Sequence, residues 1–249
     1  MTKLMGAAVL LALWAQAADD KAAEDKAATE ALDKFKAAYK GASADRLAAV
    51  NALAQTQHEK TLSKLGNILM GDPDGTVRIA AAKGIGAWAD HKQKAAATLL
   101  NGLGPNAQDP DVRIAIFKAM GQLEDPIVLS GVHRAFEDKD GKVAEASIEC
   151  AGEIRGRESI PVLIDCLKDM ERKSDTGGGG GMAGLPAGGG DSPQSQRAKK
   201  LIKPLNAALT AITLERNDTY KEWNDWWKRN MATFKVPPKP EKPATKKKK

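Results

Sequence analysis

The chain has 249 residues and a formal net charge of +6, is rich in Ala and Leu, and has only 4% aromatic residues. That length can bury a substantial core, and the composition favours helices, because Ala, Leu, Lys and Glu lose little on entering one. Two cysteines exclude a disulfide framework. Residues 235–249 hold seven Lys and one Glu, so the excess charge belongs to the tail, the remainder is balanced, and no basic face for specific nucleic-acid binding is indicated.

Residues 1–17 read as a secretory signal peptide. Lys3 is the positive start, Leu4 to Trp14 the apolar stretch, and Ala15-Gln16-Ala17 a small-x-small cleavage site before Asp19 and Asp20. The apolar stretch falls short of the ~20 residues that span a bilayer, and no later segment is apolar enough to cross one. The expectation is a soluble, exported protein, periplasmic or extracellular, with no transmembrane segment after signal cleavage. Residues 18–42 read as an N-terminal capping helix whose apolar stripe is Ala28, Leu32, Phe35 and Tyr39; the open face of a terminal repeat needs such a cover.

Internal repetition fills residues 43–173. The segment from Asp74 through Val77, Arg78, Ala80, Ala81 and Ile85 to Gly86 recurs from Asp109 through Val112, Arg113 and Ala115 to Gly121, 35 residues on. A weaker copy runs from Asp140 to Gly152, a further 31 residues on, and an earlier one begins at Arg46. Asp74, Asp109 and Asp140 stand where a helix N-cap accepts free backbone N–H groups, and Pro110 suits a first helical position. Gly86, Gly121 and Gly152 are expected to mark the turn into a second helix. Those second helices are expected over 61–70, 92–103, 126–136 and 159–170, each with a 3.6-residue apolar stripe. Cys150 and Cys166 fall on apolar faces and read as small buried hydrophobes, although an oxidising compartment would permit one disulfide between them.

This pattern, Asp-x-x-Val-Arg-x-Ala-Ala with a trailing Gly and then Ile160-Pro161-Val162-Leu163-Ile164-Asp165-Cys166-Leu167, resembles the short bacterial HEAT-like repeat, also found in phycobilin lyase subunits. The resemblance implies an all-α fold, an α-solenoid of stacked antiparallel helix pairs. It also implies a structural ladder in which Arg78 and Arg113 pair with Asp74 and Asp109 across neighbouring repeats. The third copy has Ala144 where the Arg should stand, so the ladder is expected to end there.

Residues 174–194 are a Gly-rich loop, read as a flexible tether. It lacks the Gly-Lys-Ser/Thr ending and the preceding strand of a phosphate loop. Residues 195–234 read as a degenerate last repeat and a Trp-rich capping helix. There Tyr220, Trp223 and Trp227 share one face with Trp226 beside it. This cluster is either a hydrophobic lid on the last repeat or a binding surface for a sugar, peptide or protein. Residues 235–249 read as a disordered Pro/Lys tail able to contact anionic polymers.

The sequence carries few signs of catalytic or metal chemistry. His58, His91 and His133 have no His or Cys at metal-ligand spacing. No GxSxG occurs, and the carboxylates fall on caps and solvent faces. No cofactor, metal or catalytic residue is expected. The reading is a non-enzymatic scaffold of the cell envelope with a protein partner of unknown identity. The alternatives are a lyase-type enzyme subunit, by fold analogy, and an envelope polymer-binding module using the Trp cluster and the Lys tail.

Overall fold

The computed structural model of the protein describes residues 2–175 and 192–240, with side chains at Gln16 and from Asp19 onward. The centre of the Gly-rich loop (176–191) and the Lys-rich end of the tail (241–249) lie outside the described residues. Among the described residues the fold is all-helical, with neighbouring helices packed in pairs as in a HEAT-like α-solenoid. None of these helices is long and apolar enough to cross a membrane. The chain divides into two compact units, residues 1–128 and 129–249.

The first unit begins with α1 (Thr2–Ala38), followed by α2 (Ser43–Leu53), α3 (Glu59–Gly71), α4 (Gly75–Gly86), α5 (Lys92–Gly102), α6 (Pro110–Leu123) and a 3₁₀ turn at Pro126–Val128. Here α2, α4 and α6 lie side by side in one layer, while α3 and α5 pair in a second. Small residues set the spacing. A Cβ on Gly84 would meet the Ala54 Cβ at 2.6 Å, and one on Gly102 would meet Leu69 Cδ2 at 2.7 Å. The core between the layers holds Leu53, Leu65, Val77, Ile85, Leu99 and Ile116, all buried. Asn106, itself buried, donates to the Leu69 carbonyl at 2.9 Å and the Gly102 carbonyl at 2.8 Å. It thereby satisfies orphan acceptors at the ends of α3 and α5. The stripe on α1 packs against α2 and α3, with Ala28 and Phe35 fully covered.

The second unit comprises α7 (Leu129–Arg134), α8 (Gly141–Ile154), α9 (Ser159–Asp175), α10 (Pro193–Thr213) and α11 (Tyr220–Asn230). The helix α10 packs against both α8 and α9, and α11 lies on α9. Val143, Ile160, Leu163, Leu205, Leu209 and Trp223 make its core. The stretch 126–136, expected as one helix, is instead the 3₁₀ turn and the short α7. The last repeat also starts earlier than its sequence boundary. Ser192 caps α10, accepting from the Ser195 N–H at 3.1 Å, and Pro193 takes the first turn.

The aspartate caps behave as their positions imply. Asp74 accepts from the Thr76 N–H, Asp109 from the Val112 N–H, and Asp140 from the N–H groups of Lys142 and Val143. Gly86 is the last residue of α4 and stands at the turn as expected, but Gly121 and Gly152 do not mark turns. The helices α6 and α8 run past Gly121 and Gly152 and end at Glu124 and Arg155, both left-handed, with φ of 54° and 60°. Gly86 and Gly152 also serve close helix approach: a Cβ on Gly152 would stand 3.0 Å from the Ala208 Cα of α10. Only a residue without a side chain permits that separation.

Candidate functional site

Two groups of residues stand out from the repeat background: the charged turn between repeats and the aromatic helix.

At the turn after α3, Asp72 is almost fully buried. Arg46, at the start of α2, donates to it through Nε at 3.0 Å and Nη2 at 3.1 Å, a two-pronged pairing. The Tyr39 hydroxyl donates to the same carboxylate, and so does the Asp74 backbone N–H, at 2.8 Å. Burial pushes the Asp72 carboxyl up, but the Arg46 guanidinium, the Tyr39 hydroxyl and the Asp74 N–H outweigh it and hold it below the ordinary carboxylate value. The same burial, with the Asp72 charge beside it, pushes the Tyr39 phenol up to about 12. Asp74 takes hydrogen bonds from the Ser43 and Thr76 hydroxyls and the Thr76 N–H, which pull it down to about 2.

Arg78 carries the pattern one repeat further. Its Nη2 donates to Asp109 at 2.6 Å and its Nη1 to the Asp72 carbonyl at 2.5 Å. Arg78 therefore joins two successive turns and is neutralised by Asp109. Arg113 occupies the matching position of α6 and is half-buried. Ala144, in the arginine position of α8, is fully buried. The turn before α8 still receives an arginine, because Arg197 of α10 donates to the Lys139 carbonyl at 3.2 Å and to the Asp138 carbonyl. These groups are occupied in tying helices together.

The aromatic helix is a partly covered lid. Trp223 is 0% exposed, and its indole N–H donates to Asn206 Oδ1 of α10 at 2.8 Å. Trp223 thus cannot belong to a contact surface, contrary to its place in the sequence-derived binding cluster. Trp226 and Trp227 are half-buried, and Phe234 sets its edge against both, with centroids at 5.3 and 6.2 Å. The Arg157 guanidinium lies over Trp227 at 5.2 Å, and Lys168 lies over Tyr220 at 5.4 Å. The Tyr220 N–H donates to Glu171 at 2.7 Å. Faces that a sugar would stack on are thereby partly taken by the protein's own cations and by Phe234.

His58, His133, Ser159 and the two cysteines sit in structural positions. His58 caps α3, accepting from the Lys60 N–H at 3.2 Å. His133 bonds the Ser159 hydroxyl at 2.8 Å, but Ser159 is fully buried, so its oxygen is closed to any substrate. Cys150 and Cys166 are free thiols and buried. No group of three or more His, Cys, Asp or Glu among the described residues is placed to hold a metal ion.

Sequence reasoning missed Asn206, Arg157 and Phe234 around the Trp helix. Asn206 carried a signal, because it lies on the α10 copy as a lone amide within an apolar run. Arg157 and Phe234 carried none, because they meet Trp227 only through the fold.

Residues 96–174, from α5 to α9, match the family model for HEAT repeats. None of the curated proteins compared matches the chain.

Proposed function

We propose that the protein is an exported, non-enzymatic scaffold that binds a protein partner in the cell envelope. The observation carrying this reading is the repetition itself. Helix pairs recur with the same aspartate cap, Arg46 and Arg78 each bond the turn that follows their helix pair, and the HEAT match covers residues 96–174. HEAT repeats form helical scaffolds that commonly mediate protein interactions, with the partner read along a series of stacked helices. The polar groups of the turns hold neighbouring repeats together, which leaves the exposed helix faces as the surface for recognition. The second helices of the pairs are the recognition side, among them the α3 face carrying Ser63, Asn67 and Met70.

The export half of the reading rests on Lys3, the apolar stretch and the Ala15–Ala17 site. N-terminal sequencing of protein recovered from the cell envelope tests it. The expected first residue is Ala18. A cytoplasmic protein that keeps residues 1–17 would overturn it.

A further inference from the structure

The helix α1 covers the first repeat only in part. Between α1 and α2 a groove of about 780 Å³ stays open. Its floor is Phe35 and Leu53, both buried, and its walls carry the exposed Ala27 and Ala38 of α1 and the exposed Ala48 and Ala52 of α2. The α1 wall, from Ala27 to Ala38, is about 17 Å long, or about three turns of helix. Methyl side chains on both walls allow another helix to approach at the near end of the 8–10 Å packing range. In a stack of helix pairs each pair is covered by its neighbours. The helix α2 is the first of the layer α2, α4 and α6, and no residue lining the groove lies beyond Thr56. A helix seated here would therefore extend the stack past its first repeat.

The charges on the α1 wall specify which helix. Glu30 and Lys34 line the groove, both exposed. They lie one turn apart on the face that carries Ala27, Ala31 and Ala38, since residues three and four apart on a helix are neighbours. Other charges of α1 are already matched: Asp33 pairs with Lys36 at 3.0 Å and Asp25 with Lys60 at 2.9 Å. Glu30 and Lys34 enter no ion pair among the described residues.

A two-fold axis brings one surface patch onto itself. Two antiparallel copies of α1, related by such an axis level with Leu32, set Glu30 against the partner's Lys34 and Lys34 against the partner's Glu30. A parallel pair would set like charges side by side. The wall is thus complementary to itself in one orientation. We infer that the α1–α2 groove is a dimerisation surface, in which α1 of a second copy lies antiparallel to the first and is held by two Glu30–Lys34 pairs across an alanine contact. The groove residues are separate from the α3 and α5 faces proposed to recognise a protein partner, so a dimer presents those faces twice and raises avidity for a repeated partner. Interfaces below about 1,200 Å² in total are mostly transient, so a contact built on one groove should form and part with concentration.

Sedimentation velocity over a wide range of concentration reads this directly. The expected result is a reversible equilibrium between one and two chains. Glu30→Lys alone, or Lys34→Glu alone, sets like charges against each other across the axis and should weaken association about tenfold or more. The double variant Glu30→Lys/Lys34→Glu exchanges the two charges and should restore it. Mixing the two single variants should also restore it, because each supplies the charge the other needs. Both positions are exposed, so the reversals act on association and leave the core untouched. A single chain at every concentration overturns the proposal and leaves the groove to a helix of another protein. A dimer indifferent to the single reversals, or one that neither the double variant nor the mixture restores, overturns it as well and places the contact elsewhere.

Discussion

A Cβ placed on Gly86 would lie 2.8 Å from the Cα of Ala119. Real side chains do not approach backbone that closely, so α4 and α6 meet at a separation only glycine allows. Gly86→Ala therefore forces the two helices apart and is expected to cost about 1–3 kcal/mol. Gly71, at the end of α3, has nothing within 4 Å of its added Cβ. Gly71→Ala is expected to be neutral or to gain up to about 1 kcal/mol from helix propensity. Urea denaturation of the two variants checks the contrast. Equal effects would mean that the α4–α6 contact is looser than described.

Trp223 separates a lid from a binding surface. Its ring is fully buried and its N–H is bound to Asn206. Trp223→Ala is expected to destabilise the protein by about 3–5 kcal/mol, and Trp226→Ala, on the half-buried side, by less than half of that. A Trp223→Ala variant with wild-type thermal stability would contradict the lid.

Alkaline pH should weaken the tie at Asp72. In the unfolded chain Tyr39 ionises near 10, whereas in the fold it stays neutral up to about 12. Its contribution is complete below pH 10 and is lost as pH rises towards 12, because the unfolded chain releases the proton first. Thermal melts between pH 9 and 12 should show this loss, and Tyr39→Phe should flatten it. An unchanged alkaline slope in Tyr39→Phe would place the phenol outside the Asp72 network.

The thiols should be silent in the folded protein. Burial pushes the Cys150 thiol far above its usual value and the Cys166 thiol up to about 11. Only the thiolate reacts quickly. A thiol-specific chromogenic reagent at pH 8 is expected to find neither cysteine in the native protein and both in guanidinium chloride. Rapid native reaction, or no thiol after unfolding, would contradict the buried free pair.

The repeat was readable because its signals are local. Asp74, Asp109 and Asp140 cap the helices that start beside them, and apolar periodicity requires no knowledge of partners. Gly152 is not a turn residue, because its reason lies on Ala208 of another helix, and Gly86, which does end α4, has a second reason on Ala119 that no local pattern shows. The true ends of α6 and α8, at Glu124 and Arg155, use left-handed residues that composition does not advertise. Arg197 was hidden for another reason: the Gly-rich insertion displaces it from the repeat register, so its service to the Asp138–Lys139 turn could not be counted out along the chain. Asp72 carries no local signal of its role, because its partners Tyr39 and Arg46 stand on earlier parts of the chain and meet it only through the fold.

Site-specific photo-crosslinking in the native envelope tests the scaffold most directly. A photoreactive residue at Asn67 of α3 or Asn101 of α5 samples second-helix faces, and one at Lys83 samples a first helix; all three positions are exposed. The account predicts the same discrete partner protein from positions 67 and 101, and none from position 83. No discrete adduct from any position, or equal adducts from all three, would contradict a scaffold that recognises its partner along the second helices.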